Sequence, residues 1–222
     1  MQMSTGKRPI LYSSIVRSIE QCISGFNKIP DERKKILQDL SRFVERKIEA
    51  GEKALLIFIC THNSRRSHIA QLWAQAAAVY YGIPNVIAYS GGTEVTAFNP
   101  RAVKTMEELG FLITSTKKNV NYVYEVQFSN EVPPTIAFSK KYDDPRNPGS
   151  NFCAIMTCSH ADENCPLITG AEMRLSISFD DPKDFDGTSV EESMYKERAY
   201  QIGREMLYSF SKIQNRYSQD RT

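Results

Sequence analysis

A cysteine and an arginine six positions apart are the residues whose types and spacing best suit chemistry. Cys60 follows the apolar run 55–59, which is typical of a buried strand, and Arg66 begins an apolar pattern with helical spacing. A strand, a short loop and a helix in this order direct backbone N–H groups and the positive end of the helix towards an anion. Such surroundings favour a thiolate, and a guanidinium can donate two hydrogen bonds to an oxyanion. The predicted oxyanion-binding loop consists of Thr61, His62, Asn63, Ser64, Arg65, Arg66 and Ser67.

Two further cysteines form a second candidate for chemistry. Cys158 and Cys165 enclose six mostly polar residues and follow the apolar run 152–156. We expect this segment to be exposed and mobile, and a loop of this length closes into a disulfide at small entropic cost. Two unrelated cysteines, or half of a zinc site, are the alternatives; zinc is disfavoured because the three histidines lack suitable spacing. Since parallel strands end at one edge of a sheet, the segment and the Cys60 loop can meet.

An Asp-Pro pair is the third candidate. Asp181-Pro182 follows another predicted strand, and an aspartate fixed beside a proline can be directed at a leaving group as a proton donor. Asp-Asp-Pro is also a common turn, and a second copy at 143–145 shows how little the motif indicates alone.

The elements that must position these residues alternate between strand and helix. The predicted strands are 55–59, 86–89, 152–156 and 173–179, with helices after the first two and at the C-terminal end. This order predicts an α/β fold, a four-stranded parallel sheet flanked by helices. We expect residues 1–52 to form an N-terminal helical extension of two helices, which packs on the domain or forms a homodimer, and residues 53–222 to form the main domain.

Local signals predict how two of the helices begin. Asp31 is the expected cap of the second N-terminal helix, and Ser189 with Glu192 has the spacing of a capping box before the last helix.

Residues 120–150 interrupt the alternation of strands and helices. Apolar and polar residues alternate over 122–128, a turn follows over 130–134, and a short apolar run continues over 135–138. This pattern predicts an inserted β-hairpin whose exit, from Lys140 to Ser150, forms a lid or an edge on the surface. We also expect the hairpin to gate access of substrate.

Composition limits the functions that the chain can have. With 28 Lys+Arg and 26 Asp+Glu the formal charge is +2, which indicates neither nucleic-acid nor membrane-surface binding. No apolar run approaches the roughly 18–20 residues of a membrane span, and the first residues lack the apolar core of a signal peptide. A cytoplasmic protein is expected, whose five cysteines are reduced at rest. Cys22 and Cys153, which have apolar neighbours, are expected to be buried and inert.

The first motif resembles a known phosphate loop. Cys60-x5-Arg66-Ser67, with Asn63 inside, is similar to the loop of the low-molecular-weight protein tyrosine phosphatases. The resemblance implies a four-stranded parallel sheet with flanking helices. It also implies that Ser67 hydrogen-bonds the Cys60 thiolate and that Asn63 braces the loop.

Within that superfamily the sequence most resembles the thioredoxin-coupled arsenate reductases. These enzymes carry two later cysteines separated by six residues and followed by a proline, here Cys158 and Cys165-Pro166, and then an Asp-Pro, here Asp181-Pro182. The likeness covers roughly residues 53–119 and 151–215.

The resemblance implies a cysteine relay that reduces arsenate to arsenite. Cys60 would attack arsenate held by the loop amides and Arg66, and Asp181 would protonate the departing oxygen. Cys158 would then attack the Cys60 sulfur, Cys165 would resolve that disulfide, and a thioredoxin-like reductant would reduce the Cys158–Cys165 disulfide. No metal and no organic cofactor are expected.

Some residues depart from the family pattern. His62 stands where glycine is usual, and Arg65, where cysteine is common, is expected to be a solvated residue at the helix start. Gln71 replaces a glutamate that binds potassium in some reductases, so a bound cation is not predicted. Lys183 and Phe185 lie where phosphatases of this size often have adjacent tyrosines, which disfavours phosphotyrosine as substrate.

Three functions remain open from the sequence. The first is arsenate reduction by the relay. The second is hydrolysis of phosphotyrosine or another phosphate monoester through a phosphocysteine at Cys60, with Cys158 protecting Cys60 as a reversible disulfide. The third is a non-catalytic domain that binds an anion or docks a partner.

Overall fold

The computed structural model describes residues 9–117, 121–165 and 167–217, without the side chains of Lys117 and residues 214–217. Residues 1–8 of the predicted extension and Pro166 of the second motif therefore lie outside the described residues. In chain order the helices and strands are α1 (Ser13–Ser24), α2 (Asp31–Glu49), β1 (Ala54–Cys60), α3 (Arg66–Tyr81), β2 (Val86–Gly92), α4 (Pro100–Glu108), β3 (Leu112–Lys117), β4 (Val123–Gln127), β5 (Thr135–Ala137), β6 (Phe152–Met156), α5 (Ser159–Asn164), β7 (Ala171–Ser176) and α6 (Glu191–Tyr217).

The predicted four-stranded parallel sheet is confirmed. Its order is β2-β1-β6-β7, and every neighbouring pair is parallel. β1 lies between β2 and β6. Its side chains are almost all apolar and buried, as expected of a strand that is covered on both faces. Cys60 and Met156 end β1 and β6 at the same edge of the sheet, so the segments that follow these two strands leave the sheet side by side.

The two predicted N-terminal helices are present and share a core with the sheet. The buried faces of α1 and α2 belong to the same apolar cluster as the interior of the sheet and of α6. The buried residues of these two faces include Ile15, Ile19, Cys22, Leu37, Leu40, Phe43 and Val44. The division of the chain at residue 52 stays a prediction. No helix among the described residues is long and apolar enough to cross a membrane.

Both predictions of how helices begin are wrong. α2 begins at Asp31 itself, so this carboxylate lies in the first turn and bonds Lys34 rather than capping the helix. α6 begins only at Glu191, whose carboxylate accepts the N–H of Gly187. In each case a carboxylate lies inside the first turn, where it meets the positive end of the helix.

The predicted hairpin is present within a larger antiparallel sheet. β4 pairs with β5, and Tyr124 lies opposite Ala137. The correction is that β3, which begins at Leu112, pairs with the other edge of β4 and makes a three-stranded sheet. Buried Val126 and Phe128 join the main core, so the insertion is part of the packed structure.

The exit of the hairpin runs along the edge of the parallel sheet. Gly92 N–H donates to the Lys140 carbonyl, and Tyr142 N–H donates to the Gly92 carbonyl. The Asn147 amide donates to the carbonyl of Ser90 at 3.1 Å. Residues 140–147 are thereby attached to the end of β2, beside the loop that follows β1.

Candidate active site

Cys60 is the last residue of β1, and its sulfur faces a serine hydroxyl. The Cys60 Sγ atom lies 3.1 Å from Ser67 Oγ, and the cysteine is only 3% exposed. Ser67 Oγ also accepts a hydrogen bond of 2.9 Å from Asn63 Nδ2. Because the Ser67 oxygen accepts this bond from Asn63, the hydroxyl proton of Ser67 is free to be donated to the Cys60 sulfur. A hydrogen bond of this kind stabilises the thiolate form of Cys60.

Asn63 holds the loop in a left-handed turn. Its φ of 42° lies in the region that asparagine tolerates better than most residues. Its Oδ1 accepts the Lys140 N–H at 2.8 Å, which fixes the orientation of the amide that donates to Ser67. Gly92 allows the loop to approach, because a Cβ atom there would lie 2.7 Å from the Asn63 nitrogen.

The remaining loop residues tie the loop to neighbouring segments. His62 is half-buried, its carbonyl accepts from the hydroxyls of Thr96 and Ser139, and its Nε2 lies 3.5 Å from a Glu94 carboxylate oxygen. Ser64 Oγ donates to the Ala97 carbonyl at 2.8 Å. These bonds anchor the loop to the segment before α4 and to the insertion.

Arg66 and Asp181 are in contact, although 115 positions separate them in the sequence. Arg66 Nη2 lies 2.7 Å from Asp181 Oδ2, and Nη1 donates to the Phe179 carbonyl at 2.8 Å. The Arg66 Nε atom is buried and has no hydrogen-bond partner among the described residues. A buried donor without a partner is costly, so this N–H is available to an oxyanion in the loop.

Arg65 is buried, and the expectation of a solvated residue is wrong. It is 9% exposed; its Nε donates to Tyr195 Oη at 2.8 Å and lies 3.9 Å from Asp181 Oδ1. Tyr195 Oη in turn donates to Asp186 at 2.8 Å, and burial raises the pKa of Tyr195 to about 12. α6 and the turn after Asp181 cover the start of α3, which helical periodicity alone does not reveal. Sequence reasoning missed Tyr195 and Asp186 entirely.

Cys158 lies beside the Cys60 loop, as the sheet topology predicts. Its Sγ is 3.5 Å from Thr61 Oγ1, and Cys60 and Cys158 belong to one buried apolar cluster. Thr61 Oγ1 is also 3.2 Å from His160 Nδ1. The second motif and the loop are therefore in direct contact, and His160 is a further residue that sequence reasoning did not single out.

The segment between Cys158 and Cys165 is a helix and not the predicted loop, whereas the predicted exposure is confirmed for four of its six residues, Ser159, His160, Glu163 and Asn164. Cys158 is 1% exposed and caps α5, since its sulfur accepts the Ala161 N–H at 3.4 Å. Arg174 on β7 holds the helix, donating to the Asp162 carbonyl at 2.7 Å and to the Cys165 carbonyl at 3.2 Å. Cys165 is half-buried, and all five cysteines are free thiols.

The predicted burial of the other two cysteines is confirmed. Burial raises the pKa of Cys22 to about 12 and raises the pKa of Cys153 well above its usual range. Both thiols are therefore poor nucleophiles near neutral pH.

Gln71 is buried and serves to join two sheets. Its Nε2 donates to the Ala88 carbonyl at 3.1 Å and to the Ile136 carbonyl at 3.4 Å. Among the residues that the structure describes, no group of three or more His, Cys, Asp or Glu side chains is suited to hold a metal ion.

The fold and the loop define a class of protein: a parallel four-stranded α/β domain whose central strand is followed by a loop that begins at a cysteine and ends at an arginine and a serine. No protein-family model matches the chain. The arsenate reductase of Bacillus licheniformis is 31% identical over 147 residues, which cover 66% of this chain and 86% of that protein. The arsenate reductase of Halalkalibacterium halodurans is 29% identical over 153 residues, 68% of this chain and 91% of that protein. The chain belongs to this arsenate reductase family.

Solved structures with a similar arrangement include an arsenate reductase from Archaeoglobus fulgidus, with a TM-score of 0.46 and 14% identity over 70% of this chain and 98% of that chain. A low-molecular-weight protein tyrosine phosphatase from T. tengcongensis has a TM-score of 0.49 and 16% identity over 72% of this chain and 99% of that chain.

Proposed function

We propose that the protein reduces arsenate to arsenite by a relay of three cysteines. The observation that carries the proposal is the contact between the two motifs. Thr61 Oγ1 contacts the Cys158 sulfur, and Cys158 belongs to the same buried apolar cluster as Cys60. A phosphate loop alone needs no second buried cysteine. The arsenate reductases among the sequence relatives support the same activity.

The first step joins Cys60 to arsenic. The Cys60 thiolate attacks arsenate while Ser67 donates to the sulfur and the unpartnered Nε of Arg66 donates to an arsenate oxygen. Asp181, which lies against Arg66, gives a proton to the departing oxygen, which leaves as water from a protonated arsenate. The product is a thioester of arsenic(V) on Cys60.

The second step reduces arsenic. The Cys158 thiolate attacks the Cys60 sulfur, a disulfide bond forms, and the electrons of the broken sulfur–arsenic bond convert arsenic(V) into arsenite. Cys165 then attacks Cys158, which releases the Cys60 thiolate and leaves a Cys158–Cys165 disulfide. A thioredoxin-type dithiol protein, consistent with a cytoplasmic location, restores the thiols by exchange.

The relay requires α5 to unwind. Seven residues of helix separate two Cα atoms by about 10 Å, whereas a disulfide needs roughly 4.4–6.8 Å. Cys158 and Cys165 lie at opposite ends of α5, so they cannot bond while it is helical. Loss of the Arg174 contacts to α5 is the movement that brings them together.

The proposal is tested by trapping the first disulfide. With Cys165→Ser, arsenate treatment should leave a Cys60–Cys158 disulfide, detectable as linked peptides by mass spectrometry. The matched control is Cys153→Ser, which removes a buried cysteine outside the relay and should show no such trapped species. Absence of the linked peptides in Cys165→Ser would contradict the relay.

Phosphate-monoester hydrolysis is the second candidate. Cys60, Arg66 and Asp181 form a complete site without Cys158, and Cys158 is buried at the start of a helix that hydrolysis need not disturb. If this is the function, Cys158→Ser retains full turnover of an aryl phosphate. Arsenate then oxidises no thiol.

A further inference from the structure

A cavity of about 700 Å³ lies between the parallel sheet and the insertion. It is bordered by β2 and α3 on one side and by β5 and its preceding turn on the other. Its mostly apolar lining includes Val86, Ala88, Phe128, Pro134, Ile136 and Phe138. No residue of the loop 60–67 lines it, so it is separate from the candidate active site.

One end of the cavity carries an excess positive charge. Lys140 is 4% exposed, and its ammonium group makes no ion pair or hydrogen bond among the described residues. Arg146, also at this end, donates two hydrogen bonds of 2.8 Å to the carboxylate of Asp144 and is neutralised by it. The Phe138 ring lies 4.6 Å from Lys140 Nζ and 4.1 Å from the Arg146 guanidinium carbon.

A buried ammonium group without an ion-pair partner is unfavourable unless an anion binds next to it and compensates its charge. Burial lowers the pKa of Lys140 to about 8, partly opposed by Asp144, so most molecules keep the charge at neutral pH. Lys140, Arg146 and Asp144 together carry a net charge of +1. This charge matches a monoanionic carboxylate better than a dianionic phosphate ester.

The cavity is unsuited to an added peptide strand. Gln75 covers the edge of β2, since its Nε2 donates to the Val86 carbonyl at 3.2 Å and its Oε1 accepts the Ala88 N–H at 3.0 Å. An incoming strand would find those backbone groups occupied. The volume lies within the range of roughly 300–1,000 Å³ that is usual for small-molecule sites.

We propose that this cavity binds an amphipathic monocarboxylate, with its carboxylate on Lys140 and its apolar body between β2 and β5. The site does not depend on arsenate chemistry at Cys60.

Calorimetric titration of the full chain with octanoate tests the proposal. Octanoate should bind saturably and more tightly than octan-1-ol or octyl phosphate, and Lys140→Met should weaken it at least ten-fold because the cation is lost. Lys140→Met retains the backbone N–H that donates to Asn63, so the loop keeps its brace. The matched control is Lys141→Met, which removes the neighbouring exposed lysine and should leave the affinity unchanged.

A second measurement uses the unaltered protein. Saturating octanoate should slow acetylation of Lys140 several-fold relative to Lys141, measured by mass spectrometry of the same sample. The proposal would be overturned if octanoate showed no saturable binding, or if it bound Lys140→Met as tightly as the unaltered protein. It would equally be overturned if octan-1-ol or octyl phosphate bound as tightly as octanoate, or if octanoate left the acetylation of Lys140 unchanged.

Discussion

Asp181 is shared between two arginines at the candidate active site. Arg66 Nη2 lies 2.7 Å from one carboxylate oxygen, and Arg65 Nε lies 3.9 Å from the other. The Asp181 side chain also accepts the Lys183 N–H, which caps the short helix Pro182–Phe185. The carboxyl group is thereby held against the loop by charge and by the turn that follows it.

Asp181→Asn should lower kcat by about 10²-fold because the amide, which keeps the size of the side chain and one of its two acceptor oxygens, cannot give up a proton. KM should change less. The measurement is steady-state turnover of arsenate with an excess of dithiol reductant. Asp180→Asn is the control, because Asp180 is 88% exposed and contacts Arg198 instead. Equal losses in the two variants would show that Asp181 is not the proton donor.

Local motifs predicted the residues whose roles depend on near neighbours in sequence. Cys60, Asn63 and Ser67 lie in one loop and at the start of the helix that follows it. Their contacts therefore follow from the local conformation. Burial of Arg65 depends on Tyr195, 130 positions away. No periodicity in the sequence carries that information.

At the scale of elements, α5 sets a barrier to the relay. Arg174 bonds two of its backbone carbonyls and pairs with the Asp162 carboxylate at 2.6 Å. Arg174→Met should loosen the helix and speed formation of the Cys158–Cys165 disulfide several-fold under a mild oxidant.

Rapid alkylation of the remaining thiols, followed by peptide mapping, measures this rate. The control Arg42→Met removes an exposed arginine of α2 that pairs with Asp39, and it should not change the rate. An unchanged or slower rate in Arg174→Met would mean that α5 does not limit disulfide formation.

Apolar runs predicted β1 and β6 well because both strands are short and buried on both faces. The last parallel strand spans Ala171–Ser176 and not the predicted 173–179, and most of its side chains are only partly buried. β3 was missed because its Thr-Ser-Thr stretch is exposed and, of the β3 side chains that the structure describes, only Ile113 is buried. The helix α5 was missed because six polar and small residues resemble a loop, and its position depends on Arg174 of a later strand.

The gating role of the insertion stays a prediction. Removal of residues 120–150 would expose the core that Val126 and Phe128 cover, so such a deletion tests folding rather than selectivity. The insertion is linked directly to the loop by the bond of 3.1 Å from Ser139 Oγ to the His62 carbonyl and by the bond of 2.8 Å from the Lys140 N–H to Asn63 Oδ1.

At the scale of the whole molecule, a buried histidine should make stability depend on pH. His68 is fully buried, stacks on Phe98 at 4.2 Å and contacts Ser90 Oγ at 3.0 Å. Burial lowers the pKa of His68 to about 3, with Lys140 adding to the effect. Between this value and about 6.5 the unfolded chain binds more protons than the folded chain, so acid favours unfolding.

The free energy of unfolding should therefore fall as the pH drops below about 6.5. His68 should account for a slope of about 1.4 kcal/mol of unfolding free energy per pH unit between roughly pH 6 and 4. Urea unfolding at a series of pH values measures this slope. His68→Asn should reduce the slope, because the titrating group is removed. Equal slopes in the wild type and His68→Asn would contradict the assignment.

A count of free thiols, without external reductant, tests the central claim most directly. Fully reduced protein has five thiols, and one equivalent of arsenate should consume two of them and yield one arsenite. Cys60→Ser should abolish the loss. Five thiols remaining after arsenate, in a preparation that hydrolyses an aryl phosphate, would contradict the relay and make the protein a phosphatase.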